Sequence, residues 1–230
     1  MPLPNRGSDS RAAPRYNSVE VRSLLGVLYA HVGLDLQAIT EEKRAIEIDP
    51  ANSLYLDRLG QVYVWTGRYD DARAAYGKAF ALESEAQGTL QQSAIPYLYT
   101  RQLKEARRRL ERARDLAPRA VFPSAYLALL AALEGRFQDA EAAIPSDIHE
   151  AEKLRDGHHA FYVYASIFAL QGKSAETVRW LRKTVEVGMP NHPMFARDAN
   201  LARVRSSPEF AQFMAELKPR YETMQREFCC

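Results

Sequence analysis

Apolar and small residues recur along this chain at the spacing of a helix, and the arrangement then repeats. Around LGQVYVWTGRYDDARAAYGKAFAL, residues 59–82, Leu56, Leu59, Gly60 and Tyr63 stand at i, i+3, i+4 and i+7, one face of a helix. Beyond Gly67 a second face carries Ala72, Tyr76 and Ala79. The spacing predicts two helices joined by Thr66-Gly67-Arg68, with glycine and alanine where a core helix usually carries leucine. Such small residues let neighbouring helices approach backbone to backbone.

Stepping along the chain by 34 residues finds the same pattern again. One copy holds Leu25-Gly26, Tyr29, Gly33, Ala38, Ala45 and Pro50. The next holds Leu59-Gly60, Tyr63, Gly67, Ala72, Ala79 and Ser84, and a third Ser93-Ala94, Tyr97, Arg101, Ala106, Ala113 and Pro118. A fourth starts with Leu127-Ala128, Ala131, Gly135 and Ala140 and then departs. A fifth, slightly shifted, has Tyr164-Ala165, Phe168, Gly172, Thr177 and Thr184. Glycine after the first helix suits a left-handed C-cap, and proline after the second ends it.

On these markers the chain resembles the tetratricopeptide repeat (TPR) family over residues 18 to about 190. The resemblance implies an all-α TPR-type solenoid of about five helix-turn-helix repeats with a C-terminal helical cap. The expected organisation is a flexible N-terminal tail at 1–17, an array at 18–190 and a capping segment at 191–230. Its repeats fall near 19–52, 53–86, 87–120, 121–157 (irregular) and 158–190. The fourth is irregular because Pro145 falls within about two turns of its second helix, where proline costs about 3 kcal/mol; Ser146 is then placed to cap a short helix through Leu154. Downstream, Pro190 and Pro193 predict a turn, Asp198 caps a short helix with Leu201 and Val204, and Phe210, Phe213, Met214, Leu217 and Tyr221 form one face of a longer helix opened by Ser207-Pro208.

The last third, from GHHAFYVYASIFALQGKSAETVRWLRKTVEVGMP onward, also resembles the C-terminal end of bacterial multi-repeat proteins in which a TPR array follows a protein kinase, adenylate cyclase or winged-helix domain. The matching residues are His158-His159, the turn at 169–172, Trp180-Leu181, Gly188, Phe195, Asp198, Leu201, Arg205, Pro208 and Phe210; Ala199 stands where that group has proline. None of those effector domains fits in the 17 residues ahead of the first repeat, so the resemblance implies a freestanding or truncated sensor-like array.

Composition narrows the chemistry. Of 230 residues 47% are hydrophobic and 26% charged, as in an ordinary folded domain, and the net charge of +2 points to neither nucleic acid nor an anionic membrane as partner. No apolar run approaches the roughly 20 residues of a membrane span, and no secretory segment is evident, so a cytoplasmic location is expected. The two cysteines, Cys229 and Cys230, form neither a zinc-ligand set nor a disulfide framework. No phosphate loop, nucleophile elbow, zinc helix or kinase signature is found, and Asp70-Asp71 opens a helix whose dipole it complements, so no enzyme is expected.

Two clusters remain. His158-His159 lack the i, i+4 spacing that puts two ligands on one helix face; packing is the expected role, and no metal or other cofactor. Residues 101–119 carry eight basic and three acidic residues. Lys104, Arg107, Arg108 and Arg112 interleave with Glu105, Glu111 and Asp115, either as a solvated ion-laced face or as a basic docking patch.

Carrying the family's concave positions over marks a partner-binding groove of Val27, Leu54, Gln61, Val64, Trp65, Ile95, Leu98, Tyr99, Phe122, Leu129 and Tyr162, with His31, Asp57, Gln91, Leu133 and Ser166 beside them. Ser23, Val27, Arg58, Gly88 and Gln92 occupy the places of the family's carboxylate clamp, and only one is basic. The expected function is a non-catalytic scaffold or adaptor that binds a peptide or helix of another protein in an apolar-aromatic groove, with Trp65, Leu98, Tyr99 and Phe122 as anchors; the alternative for these side chains is a tight superhelix in which they pack on one another or on the C-terminal helix. The alternative is a regulatory remnant of a kinase or transcriptional regulator acting on a separate effector chain through the arginine-rich face. Self-association through an exposed repeat end is a third expectation.

Overall fold

Five helix pairs follow one another in a computed structural model of the chain, which describes residues 18–83, 87–144 and 157–228. The first helices of the pairs are α1 (Val19–Val32), α3 (Ser53–Trp65), α5 (Gln87–Tyr99), α7 (Val121–Leu133) and α9 (Gly157–Leu170). Their partners are α2 (Asp35–Ile48), α4 (Tyr69–Leu82), α6 (Leu103–Leu116), α8 (Phe137–Ala142) and α10 (Ser174–Glu186). Each first helix packs on its own partner and on the first helices before and after it, so the five line one continuous face.

The marker residues sit where helices cross. Ala38, Ala72, Ala106 and Ala140 are completely buried, as are Ala45, Ala79 and Ala113. A Cβ on Gly60 would come within 2.7 Å of the Tyr76 ring, and one on Gly26 within 2.7 Å of Glu42 Oε1. Alanine fills the same slot in later repeats, as Ala94, Ala128 and Ala165, all buried. The A-helix ends are equally regular. In the first repeat, Gly33 takes φ 83° and the Leu34 amide donates to Tyr29 O at 2.9 Å. The third repeat makes the same turn with Arg101 at φ 59°, the Gln102 amide donating to Tyr97 O at 2.8 Å. The hydrogen bonding thus persists where glycine is absent, at the steric cost of a non-glycine residue in the left-handed region.

In the fourth pair α8 stops at Ala142. The helix expected after Ser146 lies outside the described residues, as do residues 1–17, Ser84 and the Cys229-Cys230 pair.

After α10 the chain enters α11 (His192–Arg197), a 3₁₀ turn at Ala199–Leu201 and the long α12 (Pro208–Phe228). Ser207 Oγ accepts the Phe210 amide at the start of α12, and Phe210, Phe213 and Leu217 are buried against α10 and α11. Near the other end of α12, Tyr221 stacks on His192 and Phe228 meets Tyr29 of α1. Among the described residues no helix is long and apolar enough to cross a membrane.

Candidate functional site

The segment between α10 and α12 does not trail away from the repeats; it crosses the face they line. Asn191 donates from Nδ2 to the Ala30 carbonyl at 2.7 Å, and its Oδ1 accepts the Met194 amide at 2.9 Å. Arg197 donates to the Trp65 carbonyl at 2.7 and 3.1 Å and pairs with Asp35 at 2.8 Å. Asp198 reaches furthest in. Its Oδ2 accepts the Tyr99 hydroxyl at 2.5 Å and also the Tyr162 hydroxyl, while Oδ1 caps the Asn200 amide at 2.7 Å. Residues from α1, α3, α5 and α9 are thereby tied to one strap of chain.

Burial dominates the electrostatics of this clasp. The Asp198 carboxyl is raised above the usual carboxylate range by desolvation, against which the two tyrosine hydroxyls, the Asn200 amide and Arg205 act. Tyr99 and Tyr162 are pushed well above the ordinary phenol value, first by burial and then by the neighbouring carboxylate.

The strap seats Met189 and Met194 over Val64, Trp65, Ile95, Tyr99, Leu129 and Tyr162, and only about 20 Å³ of space remains among them. That is room for about one water. The apolar-aromatic groove expected from sequence is therefore filled by the chain itself. Trp65 is 7% exposed and Leu98 1% exposed, so both belong to the core and neither is a surface anchor in this structure. Leu54 is exposed and does not line this space.

What stays open is the other half of the same face. A cavity of about 380 Å³ takes residues from all five first helices: Leu24, Val27 and His31; Arg58 and Gln61; Gln91 and Gln92; Phe122 and Tyr126; and His159. Of the expected groove residues, Val27, Gln61 and Phe122 are here. The wall is mixed, with three side-chain amides and a guanidinium facing apolar and aromatic groups. Gln92 Oε1 is buried and finds no hydrogen-bond partner among the described residues.

Behind one wall lies a buried polar layer. Arg58 donates to Ser23 Oγ at 2.7 Å, and Ser23 donates to Glu42 Oε2 at 2.7 Å. Desolvation raises Glu42 to about 8, with Ser23 and Arg58 opposing, and raises Asp57 to about 6 against its bond to Thr89. Glu42 was not singled out from the sequence. In EEKRAIEI it looks like one more solvated acid, and only the Gly26 slot opposite turns it inward.

The arginine-rich face is internally paired. Arg107 makes a two-pronged contact with Glu134 at 2.7 and 2.8 Å and Arg108 one with Glu105 at 2.7 and 2.9 Å, while Lys104 and Arg112 lie on the exposed side of the helix. Exposed pairs of this kind contribute little to stability, about 0–1 kcal/mol each, but they neutralise much of the patch.

No family model matches the chain, and no curated protein matches it. Solved structures do. One is a tetratricopeptide repeat protein from Parabacteroides merdae, with TM-score 0.56 and 16% identity over 92% of this chain and 80% of that one. Another is a thermophilic TPR protein of Thermus thermophilus, with TM-score 0.58 and 19% identity over 90% of this chain and 98% of that one. The fold is an all-α TPR-type solenoid. Identities this low speak to the TPR fold alone, and the reading of the site rests on its own geometry.

Proposed function

We propose that this protein is a non-catalytic interaction module whose open cavity takes a short extended segment of a partner protein. The observation that carries this reading is the pairing of Gln61, Gln91 and Gln92 amides with the Phe122 and Tyr126 rings in one cavity built from all five first helices. Side-chain amides donate and accept, which matches the alternating groups of a peptide backbone, and the rings take an apolar side chain. Size narrows the occupant. A cavity of about 380 Å³ is at the lower end of ligand sites, whereas a helix is about 10–12 Å across with its side chains. A few residues fit, and a whole docked helix does not.

Peptides selected by display against the full chain test this. The expected result is a binding set that loses at least about tenfold in affinity on Gln92→Ala and on Phe122→Ala, the size of one lost hot-spot contact, with unchanged thermal melting. Selected peptides that bind both variants as tightly as the parent would place the site elsewhere. The arginine-rich face is the weaker reading, because Arg107 and Arg108 already have acidic partners.

A further inference from the structure

Three of the chain's five histidines meet at one point. His31 comes from the last turn of α1, and His158 and His159 from the first turn of α9, His31 and His158 standing 127 positions apart in the chain. One ring nitrogen from each lies within 4.8 Å of the others. We propose that His31, His158 and His159 form a binding site for a divalent late transition-metal ion of the zinc class, with a further coordination position facing the cavity.

The donor set suits that class of ion, since imidazole nitrogen is a ligand for zinc, copper and nickel and not for calcium or magnesium. For His31, the orienting contact that metal-binding histidines use is also in place. His31 Nδ1 lies 2.7 Å from the Val27 carbonyl, and a carbonyl can only accept, so Nδ1 carries the proton. That leaves His31 Nε2 with its lone pair directed at His158 Nε2, 2.8 Å away. Coordination replaces this N–H···N bond, and the His158 proton then resides on Nδ1.

Rigidity and access complete the case. Trp65 packs on His159 at 5.3 Å and on His31 at 5.0 Å between ring centres, and Phe122 meets the His159 ring from another side. Both His31 and His159 also line the open cavity, which gives an ion a route from solvent. Bonds of about 2.0–2.1 Å in a tetrahedral site put ligand nitrogens about 3.3 Å apart. The ring nitrogens stand 2.8 Å apart for the His31–His158 pair and no more than 4.8 Å apart for the others, values that bracket this spacing.

The test uses the full chain without a histidine tag and with Cys229→Ser and Cys230→Ser, because adjacent thiols bind the same ions. Cobalt(II) is titrated alone and followed by visible absorption, then displaced with zinc in a calorimeter. The expected result is one equivalent of cobalt with the intense spectrum of a four-coordinate site, displaced by zinc, and a loss of at least about tenfold in affinity on His31→Gln and on His159→Gln. Should either variant misfold, nitrogen NMR of the imidazoles in the unaltered rings gives a second readout, with the His31, His158 and His159 signals shifting together on adding zinc. No bound equivalent, variants that bind as the parent does, or shifts confined to His149 or His192 would each overturn the proposal.

Discussion

The two halves of the concave face are built from the same five helices and end up differently. One half is apolar and aromatic, and residues 189–201 of the chain cover it down to about 20 Å³ of space. The other half carries Arg58, Gln61, Gln91, Gln92, His31 and His159 and keeps a cavity of about 380 Å³. The difference follows from what each surface costs to leave bare. Contiguous apolar area exposed to water is unfavourable at about 25 cal/mol per Å², so a tethered segment of the same chain covers it. Amides, a guanidinium and imidazoles are well solvated, and nothing comparable drives the chain to fill that side. In a TPR-type groove, apolar character therefore need not mean availability to a partner.

The largest way to break the comparison is at Trp65, which sits between the two halves. If Trp65 is core, Trp65→Ala destabilises the protein by about 3–5 kcal/mol in chemical denaturation, the range for deleting a buried aromatic ring. A loss under about 1 kcal/mol would return it to the surface.

Asp198 comes next. Asp198→Ala strips the acceptor from the buried Tyr99 and Tyr162 hydroxyls and uncaps the 3₁₀ turn, an expected loss of about 2–4 kcal/mol. Amide exchange should then speed up first at Met194 and Asn200, which report strap opening, before the helices of the repeats are affected.

The open half carries a pH signature instead. Glu42 is raised from 4.5 to about 8 when folded, so the folded protein holds a proton there that the unfolded chain releases. Its contribution is fully present below about pH 4.5 and is lost as pH rises through about 8, at no more than about 1.4 kcal/mol per pH unit. Asp57 adds the same sign between 3.8 and about 6. Urea unfolding at pH 6 and pH 8 checks this: Glu42→Gln should flatten the fall in stability between them.

The smallest effect is expected at the cavity wall. Gln92→Ala should shift stability by less than about 0.5 kcal/mol, since its carbonyl oxygen has no partner to lose among the described residues. Thermal melting checks it, and a large drop would mean that the open half is structural as well.

Much of the fold could be read from residue spacing. Ala38, Ala72 and Ala106 mark helix crossings because only a small side chain fits, and that constraint is visible in one sequence. Asp198 caps its turn where expected. The site was less legible. Val27, Gln61 and Phe122 line the cavity, but Trp65, Leu98 and Tyr99 carry the same apolar and aromatic signature whether the covering surface is a partner or residues 189–201. His158-His159 lacked a third ligand in their own neighbourhood because His31 stands 127 positions away.

The sequence by itself determined the helices, their pairing and the close crossings, since these depend on contacts within or between adjacent repeats. Only the tertiary structure decided which stretch of the inner face is covered, that Glu42 turns inward, and that His31 meets His158 and His159. Those outcomes depend on how far successive pairs curve and where the C-terminal strap lands. Both sum small packing angles over the whole array, and no local pattern of residues encodes such a sum.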